Sequence, residues 1–445
     1  MNALKKVMKS KSIEDAIRNL PDGFFNLVSF GLSLLFMLNP LFVLINTKLL
    51  PWFPDCRESI NLSALSVGAA VLLLFFAKKL LFKQIPSVKD FIREHTAIVL
   101  FGVFALIMVI STAVNGFTEL SVFGFFYRRE GLCGYLSYIV YFLLLAINNS
   151  DRLKKAWIYI FVGTSAVLEI YTVAEFYAAG SYDRDFVFHQ YNHYGYYLLM
   201  SLAVSAMLVI TSKKLWQKLV FSASLFLGSL ALIINDTFGC QLAAIAGLAA
   251  ACAIYSVAKG KFKPVTLVPV LVFALAFGFA AASSQTLSNG ILKNGSQIEN
   301  DMGALTEGKE NASYSTGVSR MILWENGIRY ISEAPLIGTG ADATAGRMMV
   351  DSDGDNDRCH CEYMNYAICY GIPAALIYIA AVFAVYLRGL KYRKKLTDVQ
   401  LIGLCSAMFY LISAVIGNSM YYTAPFLFIL LGMGYYGKSE EKTLK

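Results

Sequence analysis

Apolar runs of about 17 to 25 residues recur along the chain, each closed by a short polar segment, and this spacing constrains the fold more than any motif does. A helix rising about 1.5 Å per residue needs roughly twenty apolar residues to cross bilayer hydrocarbon. A transmembrane barrel would alternate apolar and polar residues instead. With 57% of its 445 residues hydrophobic and 15% charged, the chain has too little polar surface to dress a water-soluble particle, so lipid covers much of it. The pattern predicts an all-α integral membrane protein of about twelve transmembrane helices, near residues 24–46, 61–77, 96–114, 131–147, 156–178, 194–211, 219–234, 237–258, 265–283, 363–387, 399–416 and 424–436.

Charge orients these spans. With both termini in the cytoplasm, 27 of the 38 Lys and Arg residues fall on the cytoplasmic side and 11 outside, as the positive-inside rule requires. The acids lean the other way, 9 inside and 19 outside, with Glu169 and Glu175 within the fifth span. The net charge of +8 therefore reflects topology and anionic lipid headgroups rather than nucleic acid. The first span follows Lys5, Lys6, Lys9 and Lys11 and lacks a small-residue cleavage site, so it is read as retained. The chain divides into a cytoplasmic segment (1–23), helices one to nine (24–283), a large extracytoplasmic loop (284–362), helices ten to twelve (363–436) and a cytoplasmic tail (437–445).

A loop of that length is functional or disordered. Its first third is polar and rich in Gly and Asn, which reads as mobile. Its middle, VSRMILWENGIRYISEA, reads as an amphipathic helix with Met321, Trp324, Ile328 and Ile331 as its apolar stripe, Glu325 paired with Arg329, and Pro335 ending it. It ends in DSDGDNDRCHCEY, whose acids at alternate positions partly imitate a calcium loop, although Asn356 stands where the sixth-position glycine belongs; a solvated acidic loop is the default.

Cations outside the membrane run against the bias, which singles out Arg128 and Arg129 at the mouth of the fourth span and Arg320 at the start of the loop helix. Each could grip a phosphate; the plain alternatives are snorkelling and a solvated helix end. His360 and Glu362 stand where the loop enters the tenth span, where a base could meet a water-borne substrate, and an ordinary interfacial histidine is the competing reading. His189 and His193 suit an aromatic substrate cleft better than a metal, because four residues' spacing supplies too few ligands. Glu169 is the costly intramembrane acid and marks a polar site or proton path. The eight cysteines show no zinc-type spacing.

Four segments in order, YRREGLCGYLSYIVYF, FHQYNHYGYYLLM, STGVSRMILWENGIRYISEAPLIGTGAD and DRCHCEYMNYAICYGIPAALIYIAAV, make residues 110–435 resemble the O-antigen ligase and O-antigen polymerase superfamily of bacterial envelope proteins. The resemblance implies a glycosyltransferase with no metal or other cofactor. It would move a glycan from an undecaprenyl diphosphate carrier to an acceptor hydroxyl of a glycan, lipid or protein, at the outer face of the cytoplasmic membrane. It implies His360 as base, Glu362 as the group that positions the hydroxyl or shares that task, and Arg128 or Arg129 and Arg320 as diphosphate ligands; the residues themselves add His189, His193, Trp324 and Glu169 as further substrate-contacting candidates. Two positions depart from the family: NDTFGCQL offers no arginine after the seventh span, leaving Asp236 and Thr237 as polar contacts, and Cys361 replaces the usual Asn. Polymerase and ligase share this chemistry and are not separated. A transporter or flippase of lipid-linked oligosaccharide is the alternative from another class, and a binding scaffold the third.

Overall fold

The computed structural model describes residues 6–48, 56–84, 87–183, 187–307, 316–352 and 356–437, and the side chains within them except 47–48 and 297–319. Lys5, residues 308–315 and 353–355 of the loop, and the tail beyond 437 lie outside that description.

The described residues form helices in the order α1 (Ile13–Asn19), α2 (Asp22–Lys48), α3 (Arg57–Leu81), α4 (Val88–Glu94), α5 (Thr96–Asn115), α6 (Glu119–Phe123), α7 (Leu132–Ile147), α8 (Asp151–Ala179), α9 (Tyr191–Thr211), α10 (Leu215–Asn235), α11 (Phe238–Lys259), α12 (Val268–Ser283), α13 (Gln285–Glu307), α14 (Thr316–Glu333), α15 (Ala345–Asp351), α16 (Glu362–Tyr370), α17 (Ile372–Lys391), α18 (Asp398–Ser413) and α19 (Ala424–Gly434). Among the described residues, nine helices are long and apolar enough to cross a membrane. The other three expected spans, α7, α18 and α19, are apolar but have only 16, 16 and 11 residues. At 1.5 Å per residue, α19 covers about 17 Å, well short of the hydrocarbon thickness. Every residue of α19 is buried by its neighbours, so protein rather than lipid surrounds it.

Helix α9 runs through the middle, packed against α10, α11 and α18, and is buried along almost its whole length. The lipid-facing side chains sit on the outer helices, for example Leu73, Leu106, Leu271 and Phe383.

The tenth expected span is broken in two at Gly371, whose φ of 89° is closed to most L-residues and whose missing Cβ leaves room for the Leu336 carbonyl. The break frees backbone groups, which an apolar setting cannot tolerate unpaired. The turn after α14 satisfies them: Thr339 and Gly340 donate their N–H groups to the carbonyls of Ile368 and Cys369, and Ile372 donates to Pro335. Two of the sequence motifs, PLIGTG and YGIP, are thus the two halves of one joint. It sets α16 as a separate short helix with His360 just before it.

Two sequence expectations for the loop are corrected. The stretch read as mobile is helical from 285 to 307, because Leu287 and Ile291, one turn apart, pack on Phe176, Ile233 and Ile234 of α8 and α10. The loop helix α14 forms where expected, but it is rotated: Leu323, Gly327 and Tyr330 face inward, whereas Ile328 is 62% exposed. Gly327 sets this face, since a Cβ there would meet Met364 and Cys359. Arg329 pairs with Asp351.

Candidate functional site

A cavity of about 780 Å³ lies at the end of the bundle that carries residues 284–362. That size suits a small ligand or the head of a larger one. Its lining comes from segments far apart in sequence, and it includes Arg128, His193, Arg320 and His360 from the sequence reading. Asp236 and Thr237 also reach it, together with the first turn of α11 through Phe238, Gly239 and Cys240.

His360 is half-buried and adopts a φ of 52°, a left-handed conformation that histidine tolerates better than most residues. Its Nε2 lies 3.0 Å from Oδ1 of Asn356. With that oxygen as acceptor, the ring carries its proton on Nε2 and keeps the lone pair on Nδ1. Burial, then the charges of Arg320 and Arg128, push the imidazole down to about 4, and Asp357 opposes them only in part. At neutral pH the ring is therefore uncharged and able to take a proton.

Arg128 forms a two-pronged bond to Asp357, Nε to Oδ2 at 2.7 Å and Nη2 to Oδ1 at 2.5 Å, with both side chains 6% exposed. Burial pushes the Asp357 carboxyl up, but Arg128, Arg358 and Tyr127 outweigh it and hold the group below the usual carboxylate range. Nη1 of Arg128 has no hydrogen-bond partner among the described residues, so one donor remains for a ligand. Arg358 fixes the floor beneath, reaching Glu130 and Asp342 at 2.5 Å each. Tyr138 and Ser419 donate to Glu130, and the Phe125 N–H donates to Asp342.

The other sequence candidates are not among the residues that line the cavity. Arg129 turns away from Arg128 and pairs with Glu58 at 3.0 Å beside a separate small recess. Glu362 is fully buried, two residues past His360, and does not line the cavity. The hydroxyls of Tyr366 and Tyr378 donate to its Oε1 and that of Tyr410 to its Oε2. His189 precedes α9 and packs against Tyr422 with ring centroids 5.4 Å apart, so it does not share a helix face with His193. Trp324 packs with Leu323 and Tyr330 under the loop, and Glu169 sits deep in α8, accepting from Ser201 at 2.7 Å. Among the described residues no three His, Cys, Asp or Glu side chains come together as metal ligands. Of the two acids of the run that are described, Asp351 pairs with Arg329 and Tyr330, and Asp357 with Arg128; Asp353 and Asp355 lie outside the described residues.

The sequence reading missed Asn356, which orients His360, and Lys293, a cation on α13 that also lines the cavity. It also missed Arg57 and Arg358, which are buried and bind Val187 and the carboxylates of Glu130 and Asp342 respectively. A signal for both existed: they belong to the same minority of cations expected outside the membrane that singled out Arg128 and Arg320.

Since Arg129 and Glu58 are each about one-third exposed, their pair contributes less than about 1 kcal/mol. Arg129→Ala is expected to leave the melting temperature in detergent within a few degrees of wild type; a collapse of the fold would show that the pair does more than its exposure allows.

No curated protein matches the chain. A family model described as O-Antigen ligase matches residues 223–379, a span that contains α11, the loop, His360, α16 and the break at Gly371. Over residues 223–379, about a third of its length, this multi-pass membrane protein is thus similar to the O-antigen ligase family, which supports a glycan-handling membrane enzyme of the O-antigen ligase type.

Proposed function

We propose that the cavity transfers a glycan from an undecaprenyl diphosphate carrier to an acceptor hydroxyl at the extracytoplasmic face of the bacterial cytoplasmic membrane. The observation that carries this reading is the placement of His360, uncharged and tethered through Asn356, in the same cavity as Arg320 and the unpaired donor of Arg128. The acceptor oxygen attacks the anomeric carbon, and its proton passes to Nδ1 of His360. The bond between that carbon and the phosphate oxygen breaks, and undecaprenyl diphosphate departs with the electron pair. Negative charge grows on the leaving diphosphate, where Arg320, Lys293 and Arg128 Nη1 supply donors in a water-poor site. No metal ion takes part in this scheme. Glu362, held by three tyrosines, acts as a positioning residue for the start of α16.

The test is transfer by purified protein in liposomes, using undecaprenyl diphosphate-linked oligosaccharide with and without EDTA. Transfer is expected to survive chelation, and Arg320→Ala to lower it by roughly 10²-fold, the usual cost of one lost donor to developing charge. Failure of folded wild type to move sugar to any acceptor would overturn the transferase and favour transport of the same lipid. Product length separates polymerase from ligase.

A further inference from the structure

Beside Asp236 and apolar groups, two kinds of polar side chain face the cavity from different elements. Helices α13 and α14 bring cations, Lys293 and Arg320. The start of α9 and the segment after α18 bring neutral groups, Gln190, Asn192, His193 and Asn418, that both donate and accept hydrogen bonds.

Two of these neutral groups are orphaned. His193 is 2% exposed and neither ring nitrogen has a hydrogen-bond partner among the described residues; Asn418 is 6% exposed and its Oδ1 has none. A buried polar group left unpaired costs about 1–3 kcal/mol, so a fold that keeps two of them beside one cavity is shaped for a partner that arrives from outside.

The ring is also held in place. Tyr422 packs against His193 with centroids 6.3 Å apart. The Arg57 guanidinium lies 3.8 Å from the centre of the Tyr422 ring and donates to the Val187 carbonyl at 2.6 Å.

The atoms left open identify the partner's chemistry. Phosphate oxygens accept hydrogen bonds, so a fully ionised diphosphate leaves Asn418 Oδ1 unpaired, and also the basic nitrogen of an uncharged imidazole. A sugar hydroxyl both donates and accepts, and the several hydroxyls of one saccharide can meet both an imidazole and an amide oxygen that line one cavity. We infer that His193 and Asn418 form a saccharide seat, distinct from the cations that hold the diphosphate. The inference rests on the proposed function for the glycan and assigns the residues that read it. Arg57 and Tyr422 are positioning residues for this seat.

The experiment measures equilibrium binding to the full-length protein in nanodiscs for three probes: undecaprenyl diphosphate without sugar, the same lipid bearing oligosaccharide, and the free oligosaccharide. In His193→Phe and Asn418→Leu, affinity for the bare lipid should stay within about two-fold of wild type. A sugar-bearing probe should weaken roughly ten-fold or more, the loss expected for a buried hydrogen bond. His193→Gln, which keeps a donor and an acceptor, should recover part of that loss and serves as the folded control. Weakening confined to the glycan-bearing lipid assigns the seat to the donor sugar, and weakening of the free oligosaccharide assigns it to the acceptor. Equal weakening of the bare lipid, or no weakening of any probe, overturns the seat. Wild type that transfers glycan while both variants bind all probes normally overturns this inference alone; wild type that binds sugar through these residues without transferring it overturns the transferase reading and leaves the seat standing.

Discussion

Replacing His360 with alanine is expected to lower glycan transfer by roughly 10²–10⁴-fold, the usual loss for a general base, and the wild-type pH profile should show why. Because burial and the Arg320 and Arg128 charges push the ring down to about 4, the uncharged, proton-accepting form prevails throughout the neutral range. The rate constant kcat/KM should therefore stay level as pH falls from 8 to about 5 and decline only as it approaches 4. An ordinary imidazole would already lose half its base form near pH 6.5. Bound diphosphate would offset the two arginine charges, so the inflection in kcat should lie higher than that in kcat/KM. Transfer assays in proteoliposomes between pH 4 and 8 check both limbs. A drop in kcat/KM centred near 6.5 would mean the arginines do not act on the ring, and undiminished transfer by His360→Ala would remove it as base. The same shift affects stability with a definite sign: the unfolded ring binds protons below about 6.5 and the folded one only near 4, so this histidine's contribution is intact above 6.5 and is lost as pH falls between those values.

The membrane helices were legible because hydrophobic run length is local information, and all twelve expected positions contain an apolar helix. Thickness was less legible: α19 reads as a span by composition, yet its 11 residues are enclosed by other helices, and enclosure is a tertiary fact. The joint at Gly371 could be named from PLIGTG and YGIP but not understood from them, since the hydrogen bonds that close it run between residues about thirty positions apart.

The candidate site was legible only in part, for a reason particular to each residue. His360 and Arg320 were marked by motif, and they do line one cavity. Arg128 and Arg129 could not be told apart in sequence, because neighbouring residues on a turn point in different directions. Their partners, Asp357 and Glu58, lie 229 and 71 positions away. Glu362 looked like a partner for His360 because it is two residues on, but its side chain is taken up by the hydroxyls of Tyr366, Tyr378 and Tyr410, which come from residues 4 to 48 positions away. Asn356 was weighed only as a misfit in a calcium loop, where its real distinction is the contact with His360.

Arg358→Met is expected to produce the largest loss of stability of any single substitution at this end of the bundle. Its guanidinium is 2% exposed and is shared between Glu130 and Asp342, each at 2.5 Å, themselves 0% and 2% exposed. Methionine fills much of the same volume, so the change removes charge more than packing. What remains is a pair of buried carboxylates with their cation gone, and breaking such an ion group typically costs about 3–5 kcal/mol. That is a large fraction of the stability of an ordinary domain, about 5–15 kcal/mol. The expected result is a clear fall in melting temperature in detergent and poor recovery from the membrane. Adding Glu130→Gln and Asp342→Asn should restore part of the loss, because the stranded charges are then neutral and can still hydrogen-bond. The consequence reaches the chemistry through the chain itself, since Arg358 stands two residues before His360 and holds this segment against the Phe125–Glu130 bend and Ser419. The triple variant should accordingly regain stability ahead of transfer, its segment having lost the ion pairs that fix His360 beside Asn356. Full stability in Arg358→Met alone would show that the network contributes no net stabilisation and that the joint at Gly371 suffices to place the base.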